Sequence, residues 1–303
     1  MERRKTKTLF LLTALATLLI ACNHAGRSSF RAENNVDFDT IRMHEKFHLE
    51  GDTSKPYCDI RVSFVFPVNG SRTNVDTLQR IFVKHVLGTA YEGHAPDLAV
   101  NAYVKNFIEN YRADAGTYSE TAQEMMELNG LIPGIDVSDS EHEMKDTFYS
   151  YYEYLSDSIV YNRYGLIAFQ VKQANNKGGA TSYNSYRNYV INVNNGSQVT
   201  ENDIFNAGYD AALQSLIITS LLDQNQVKTI SELEDLGFFG IQEIIPNRNF
   251  LLNEKGITYT YNKGEYSAYQ LDAQEVFIHY AAIRSLLREN TIIHKLADYS
   301  ERY

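Results

Sequence analysis

From Ile41 the chain alternates between apolar and polar positions: Ile41, Met43, Phe47 and Leu49 fall on one side, Arg42, His44, Lys46, His48 and Glu50 on the other. Only Glu45 breaks the pattern, and a period of two predicts a half-buried strand. A second strand is predicted in the alternation Cys58, Ile60, Val62, Phe64 and Phe66. The period then changes. Val75, Leu78, Phe82 and Val86 take helical spacing behind Asn74, whose side chain suits an N-cap, and Gly88 offers a stop. Val100, Tyr103, Val104, Phe107, Ile108 and Tyr111 form the apolar face of a second helix.

From about Asp146 strand formers dominate. The segments "TFYSYYEYLSDSIVYN" and "YGLIAFQVKQ" are dense in aromatic and β-branched residues, and Tyr189, Ile191 and Val193 alternate before the turn pair Asn195-Gly196. A helix is predicted from about Tyr209 to Asp223, with Leu213, Leu216, Ile217 and Ser220 on one side. A hairpin turning at Glu254-Lys255-Gly256 follows, then the strand "EVFIHYAAI" and a terminal helix near Ala281 to Glu289. Strands and helices in separate runs predict an α+β fold of two α+β domains, residues 39–140 and 141–303, with mainly antiparallel sheets and packed helices.

The N-terminus adds a location. Arg3, Arg4, Lys5 and Lys7 precede an apolar run from Leu9 to Ala21 that is shorter than the roughly 20 residues of a spanning helix, so residues 1–21 read as a secretory signal. Leu19-Ile20-Ala21-Cys22 resembles the bacterial lipobox. That resemblance implies cleavage before Cys22, its acylation with fatty chains such as palmitate, and a lipidated tether over residues 22–38. Chains burying about 0.8 kcal/mol per CH₂ would hold the protein on a bilayer. No aspartate follows Cys22, as in lipoproteins sorted to the outer membrane, so the periplasmic face of that membrane is the expected location and the cell surface the alternative.

The chain carries a net charge of −10, and removing residues 1–21, which carry net +3, leaves −13. An acidic body of that kind argues against nucleic acid as a partner. With Cys22 acylated, Cys58 has no disulfide partner and reads as a small buried thiol on the apolar side of its strand.

The stretch His44 to His48, "HEKFH", fits the H-E-x-x-H signature of zinc metalloproteases. Zinc needs both histidines one helical turn apart on a helix. In a strand they stand roughly 13 Å apart, with Glu45 on the opposite face, so no metal and no cofactor is expected. No G-x-S-x-G elbow, phosphate-cradling glycine loop, EF-hand pattern or CxxC pair occurs. His85, His94, His142, His279 and His294 are scattered, and the run "SDSEHEMKD" at 138–146 reads as a solvated acidic loop. Tyrosine stands out, with 22 copies and no tryptophan, concentrated in the second block. Such rings suit protein or glycan recognition, and they also simply favour sheet faces.

The order of these motifs resembles a known family. "NKGGATSYNSYRNYVINVNNGSQVTENDIF" (176–205), with the helix start Asp203-Ile204-Phe205, and the hairpin "IIPNRNFLLNEKGITYTY" (244–261) resemble RsiV-like C-terminal domains. "CDIRVSFVFPVNG" and its two helices are similar to the small α+β domain that commonly precedes them, also found ahead of some peptidoglycan deacetylases. The resemblance implies a non-enzymatic envelope protein, and among the relatives are anti-sigma factors whose outer domain binds lysozyme. Here a lipobox replaces their cytoplasmic segment and spanning helix. In the loop resembling their "Y-x-P-Y-E-I-A-P-Y", Tyr261, Glu265 and Tyr269 fit, while Lys263, Gly264 and Ala268 replace two prolines and a tyrosine.

Tyr261, Glu265, Tyr266 and Tyr269 are the candidate contact residues, with hairpin packing as their alternative role. The expected function is a lipid-anchored binding module for an envelope or host protein, such as lysozyme, or for a peptidoglycan glycan. The alternatives are an enzyme acting on peptidoglycan or peptides, with Glu243, Glu265 and His279 gathered in one cleft, and a structural subunit of an envelope complex.

Overall fold

The computed structural model describes residues 33–70, 73–118, 120, 124, 149–177 and 182–300. Residues 1–21, read above as a secretory signal, Cys22 and the acidic run 138–146 with His142 lie outside them. The alternation from Ile41 lies in strand β1 (Val36–His48), which pairs antiparallel with β2 (Tyr57–Gly70). Helix α1 (Val75–Val86) starts where expected: the Asn74 side chain accepts from the Thr77 N–H at 3.0 Å. It ends at Gly88, whose φ of 111° few other residues adopt and whose N–H returns to the Val83 carbonyl. Helix α2 (Pro96–Asp114) buries Val100, Val104, Phe107 and Tyr111.

Strands β3 (Tyr151–Arg163), β4 (Leu166–Lys177), β5 (Tyr183–Asn192) and β6 (Ser197–Gln198) complete a six-stranded sheet in the order β1-β2-β3-β4-β5-β6. The β3–β4 hairpin turns on Tyr164-Gly165, both at positive φ, as a two-residue turn matched to strand twist requires. The β2–β3 pairing is parallel, because the chain passes through α1 and α2 between them. Residues 39–140 and 141–303 thus share one sheet: the expected domain division falls between two of its paired strands.

Successive residues of that sheet feed two cores. Ile167, Phe169, Val171 and Ile191 join Cys58, Ile60, Phe64, Leu78 and Phe82 under α1 and α2. Leu166, Ala168 and Val190 face the other way, into a core built from the rest of the chain. That part comprises α3 (Glu201–Ile204), α4 (Asp210–Gln224), α5 (Ile230–Asp235), a three-stranded antiparallel sheet of β7 (Phe250–Leu252), β8 (Gly256–Tyr261) and β9 (Gln274–His279), then α6 (Tyr280–Ile283) and α7 (Ile292–Ser300). The class is α+β, as expected. Gly256 opens β8 because a Cβ there would lie 2.2 Å from the Ile278 carbonyl oxygen.

The C-terminus departs from expectation. The helix predicted near 281–289 is only the single turn α6 and a 3₁₀ turn, Arg284–Leu286. Here the chain leaves the helix to pair with residues 204–206: Asn206 N–H donates to the Leu286 carbonyl and Arg288 N–H to the Ile204 carbonyl, at 2.8 and 2.7 Å. Asn290 at φ 61° then turns the chain, and Thr291 Oγ1 accepts from the His294 N–H at the start of α7. Among the described residues no helix is long and apolar enough to cross a membrane.

Side-chain amides join the two sheets. β6 covers only the Ile191–Asn192 end of β5, leaving the edge at Tyr186 and Asn188 without a strand. There Asn262 Oδ1 accepts from Tyr186 N–H at 2.7 Å, and Asn249 Oδ1 from Asn188 N–H at 2.8 Å. Asn249 Nδ2 donates to the carbonyls of Tyr186 and Thr260, at 3.0 and 2.9 Å. An amide offers one face of a peptide group, so these asparagines stand in for the missing strand.

Candidate functional site

Two irregular segments of the second core meet at the surface. Phe239 N–H donates to the Tyr266 carbonyl at 3.0 Å and Ala268 N–H to the Gly237 carbonyl at 2.9 Å, with Phe238 and Ser267 in a β-bridge between them. Gly237 and Gly240, both at positive φ, bend the first segment around this contact. The outcome is that Phe238 is buried, while Leu236, Phe239, Ile245 and Tyr269 stay exposed at 48, 47, 58 and 67 %. Single exposed apolar residues are ordinary; here Leu236, Phe239 and Tyr269 lie on the two bridged segments and Ile245 on the segment whose carbonyl accepts from Tyr261, so the four together are a candidate docking patch. Asp235, Glu243 and Glu265, all exposed, neighbour these residues along the chain.

The residues expected from sequence occupy different layers of this patch. Tyr269 lies on top, its ring against Gly264, where a Cβ would come within 2.9 Å of it. Glu265 is exposed and accepts from Asn247 Nδ2 at 3.2 Å. Tyr266 is half-buried, edge-on to Tyr261 at a ring separation of 5.5 Å. Tyr261 departs from its expected contact role: it is 1 % exposed and donates its hydroxyl to the Ile245 carbonyl at 2.9 Å. Burial pushes that hydroxyl's pKa up, so it stays a neutral donor that supports the patch from beneath. Sequence reasoning missed Leu236, Phe239 and Ile245. For Leu236 and Phe239 the available signal was "LGFFG", a short glycine-flanked apolar stretch that fits no element; Ile245, in "EIIPN", carried none.

The other candidates are dispersed. "HEKFH" lies in β1, with the His44 ring 3.1 Å from Asp59 Oδ1 and the His48 ring 3.3 Å from the Lys55 carbonyl. Among the described residues no three His, Cys, Asp or Glu side chains gather as metal ligands would. His85 packs 4.2 Å from the Tyr189 ring, and burial lowers its pKa to about 4, leaving it neutral. Cys58 is fully buried and unpaired, with its thiol pushed up to about 11 by burial. Glu243, Glu265 and His279 are exposed, and none lines a surface cleft of about 670 Å³ between the two sheets or one of about 460 Å³ over β1–β3.

A model of the family described as "Protein of unknown function (DUF3298)" matches residues 202–281, the stretch from α3 to the start of α6 that contains the patch. A solved member of that family from Bacteroides fragilis is similar at 26 % identity with a TM-score of 0.76, over 88 % of this chain and 99 % of that one. A solved family protein from Pseudomonas aeruginosa, at 12 % identity and a TM-score of 0.52 over 84 % of this chain and 96 % of that one, shares the fold. Comparison with curated proteins gives no match.

Proposed function

We propose that the chain is a lipid-anchored, non-enzymatic binding module of the cell envelope, held on the membrane through Cys22, and that it recognises a basic protein through the patch of Leu236, Phe239, Ile245 and Tyr269. The observation that carries this reading is the exposure of those four side chains, with the exposed carboxylates of Asp235, Glu243 and Glu265 close to them along the chain. An apolar centre with an anionic rim complements a partner offering apolar anchors among cations. The family resemblance of the 244–261 hairpin and the following loop favours lysozyme, a basic protein, as that partner. The lipobox and the net charge of −10 favour placement outside the cytosol, on the periplasmic face of the outer membrane.

The test is titration of lysozyme with the purified full chain and with a Phe239→Asp, Tyr269→Asp double variant. The reading expects micromolar or tighter binding and slowed muramidase activity, both lost in the double variant. No binding by the wild-type chain, or equal binding by the variant, would overturn it. Mass spectrometry of native material tests the anchor separately, with an acylated Cys22 as the expected first residue.

A further inference from the structure

We infer that the open face of the six-stranded sheet is a binding site for an acidic glycan, a saccharide chain bearing carboxylates. This site is separate from the apolar patch. On β4 and β5 the face is covered around Leu166, Ala168 and Val190 by the second core, and it is open at the other end of those strands. The pairing registers align two rows across five strands. One runs His44, Arg61, Tyr154, Ala174, Asn184, and the next runs Arg42, Ser63, Ser156, Lys172, Tyr186. With strands about 4.8 Å apart, each row is roughly 19 Å long, enough for several sugar rings.

Two clefts form one trough over these rows. The first, of about 460 Å³, lies over β1–β3 and is lined by Arg42, His44 and Arg61 among others. The second, of about 670 Å³, lies over β3–β5 and is closed on its far side by Thr260, Lys263, Asp272 and Glu275 from the second sheet and its loop. Tyr154 and Ser156 line both.

The chemistry of the floor is aromatic and cationic. The Arg61 guanidinium carbon stands 5.0 Å from the Tyr154 ring centre, and Lys172 Nζ 5.5 Å from that of Tyr186. Tyr152 and Tyr154 lie 5.1 Å apart at 30°, and Tyr154 is 40 % exposed, so aromatic surface beside Arg61 faces solvent. Asp59 is engaged by both Arg61 and His44. Among the described residues Arg42, Lys172 and Lys263 form no ion pair, so cations remain for a ligand's anions. A positive floor in a chain of net charge −10 is local complementarity to an anion.

The walls decide which anion. Asp272 and Glu275 would repel a polyphosphate, which needs a cation for nearly every unit. A saccharide has sparse carboxylates and many hydroxyls. Its hydroxyls can donate to Asp272 and Glu275 and exchange hydrogen bonds with Ser63, Ser156, Asn184 and Thr260, its carboxylates can meet Lys172 and Lys263, and its ring faces can lie on Tyr154 and Tyr186.

The test uses the full chain and three probes in isothermal titration: a galacturonic acid hexamer, its methyl ester, and a single-stranded oligothymidine of equal charge. The acid is expected to bind at least about tenfold more tightly than the ester or the oligonucleotide. Tyr154→Ala and Lys172→Glu, both at exposed positions, are each expected to weaken the acid by about tenfold with unchanged circular dichroism and melting. The Phe239→Asp, Tyr269→Asp variant should bind it as wild type does. Absence of binding at millimolar acid, equal binding of the ester, tighter binding of the oligonucleotide, or trough variants indistinguishable from wild type would each overturn the assignment.

Discussion

Asp157 offers the sharpest test of the packing described here. The parallel β2–β3 ladder stops at Ser63 and Ser156, and the Val65 N–H beyond it finds the Asp157 carboxylate instead of a strand, at 2.8 Å to Oδ1. Asp157 is 7 % exposed, and its Oδ2 has no hydrogen-bond partner among the described residues. Burial raises its pKa from 3.8 to about 7, against the opposing effect of backbone N–H donors. A carboxyl whose folded pKa lies above its unfolded one stabilises the fold fully at low pH and loses that contribution as pH rises through the folded value. At about 1.4 kcal/mol per pH unit, the interval from 3.8 to about 7 amounts to roughly 4 kcal/mol, absent above pH 8. Asp157→Asn keeps the acceptor for Val65 and removes the charge. Urea unfolding of both chains at pH 4.5 and 8.5 should show an advantage for the variant of only about 1 kcal/mol at the lower pH, which already lies above the unfolded value of 3.8, and of roughly 4 kcal/mol at the higher. Equal stability at pH 8.5, or a difference that does not change with pH, would refute the account of a buried, uncompensated carboxylate.

Two further outcomes follow from local geometry. Asn249→Ala deletes the hydrogen bonds to Asn188 N–H and to the carbonyls of Tyr186 and Thr260, so at about 1 kcal/mol net apiece urea unfolding should show a loss of roughly 2–4 kcal/mol. Cys58, fully buried with a thiol pushed up to about 11, should resist a disulfide-exchange reagent at pH 8 in the native chain and react once urea unfolds it; rapid native labelling followed by mass spectrometry of the Cys58 peptide would contradict that placement.

Much of the fold was legible because its signals are local. The alternation from Ile41 names β1, Asn74 and Gly88 bound α1, and the Glu254-Lys255-Gly256 turn joins β7 to β8. What stayed hidden depends on pairing between distant residues. The helix expected at 281–289 has helical residues but gives way because Leu286 and Arg288 bond to Asn206 and Ile204, partners about 80 residues earlier. Tyr261 and Tyr269 look alike in sequence, and only the packing of Ile245 and Gly264 sends one inside and leaves the other outside.

The same division explains the fate of "HEKFH". The parity that removes it from a helix also sets Arg42, His44 and Lys46 on one face, so one half of the cationic trough could be read from a single strand. The other half could not. That His44 lies opposite Arg61, and Arg61 beside Tyr154, follows from a hairpin register and from a parallel pairing made across two helices, neither of which leaves a mark in the residues themselves. A one-residue slip in the β2–β3 register would place Leu155 rather than Tyr154 beside Arg61 and turn the trough's aromatic floor into core. The buried Leu155 and Ile60 forbid that slip, so the apolar face that holds the sheet together also sets the polar face that is left to bind.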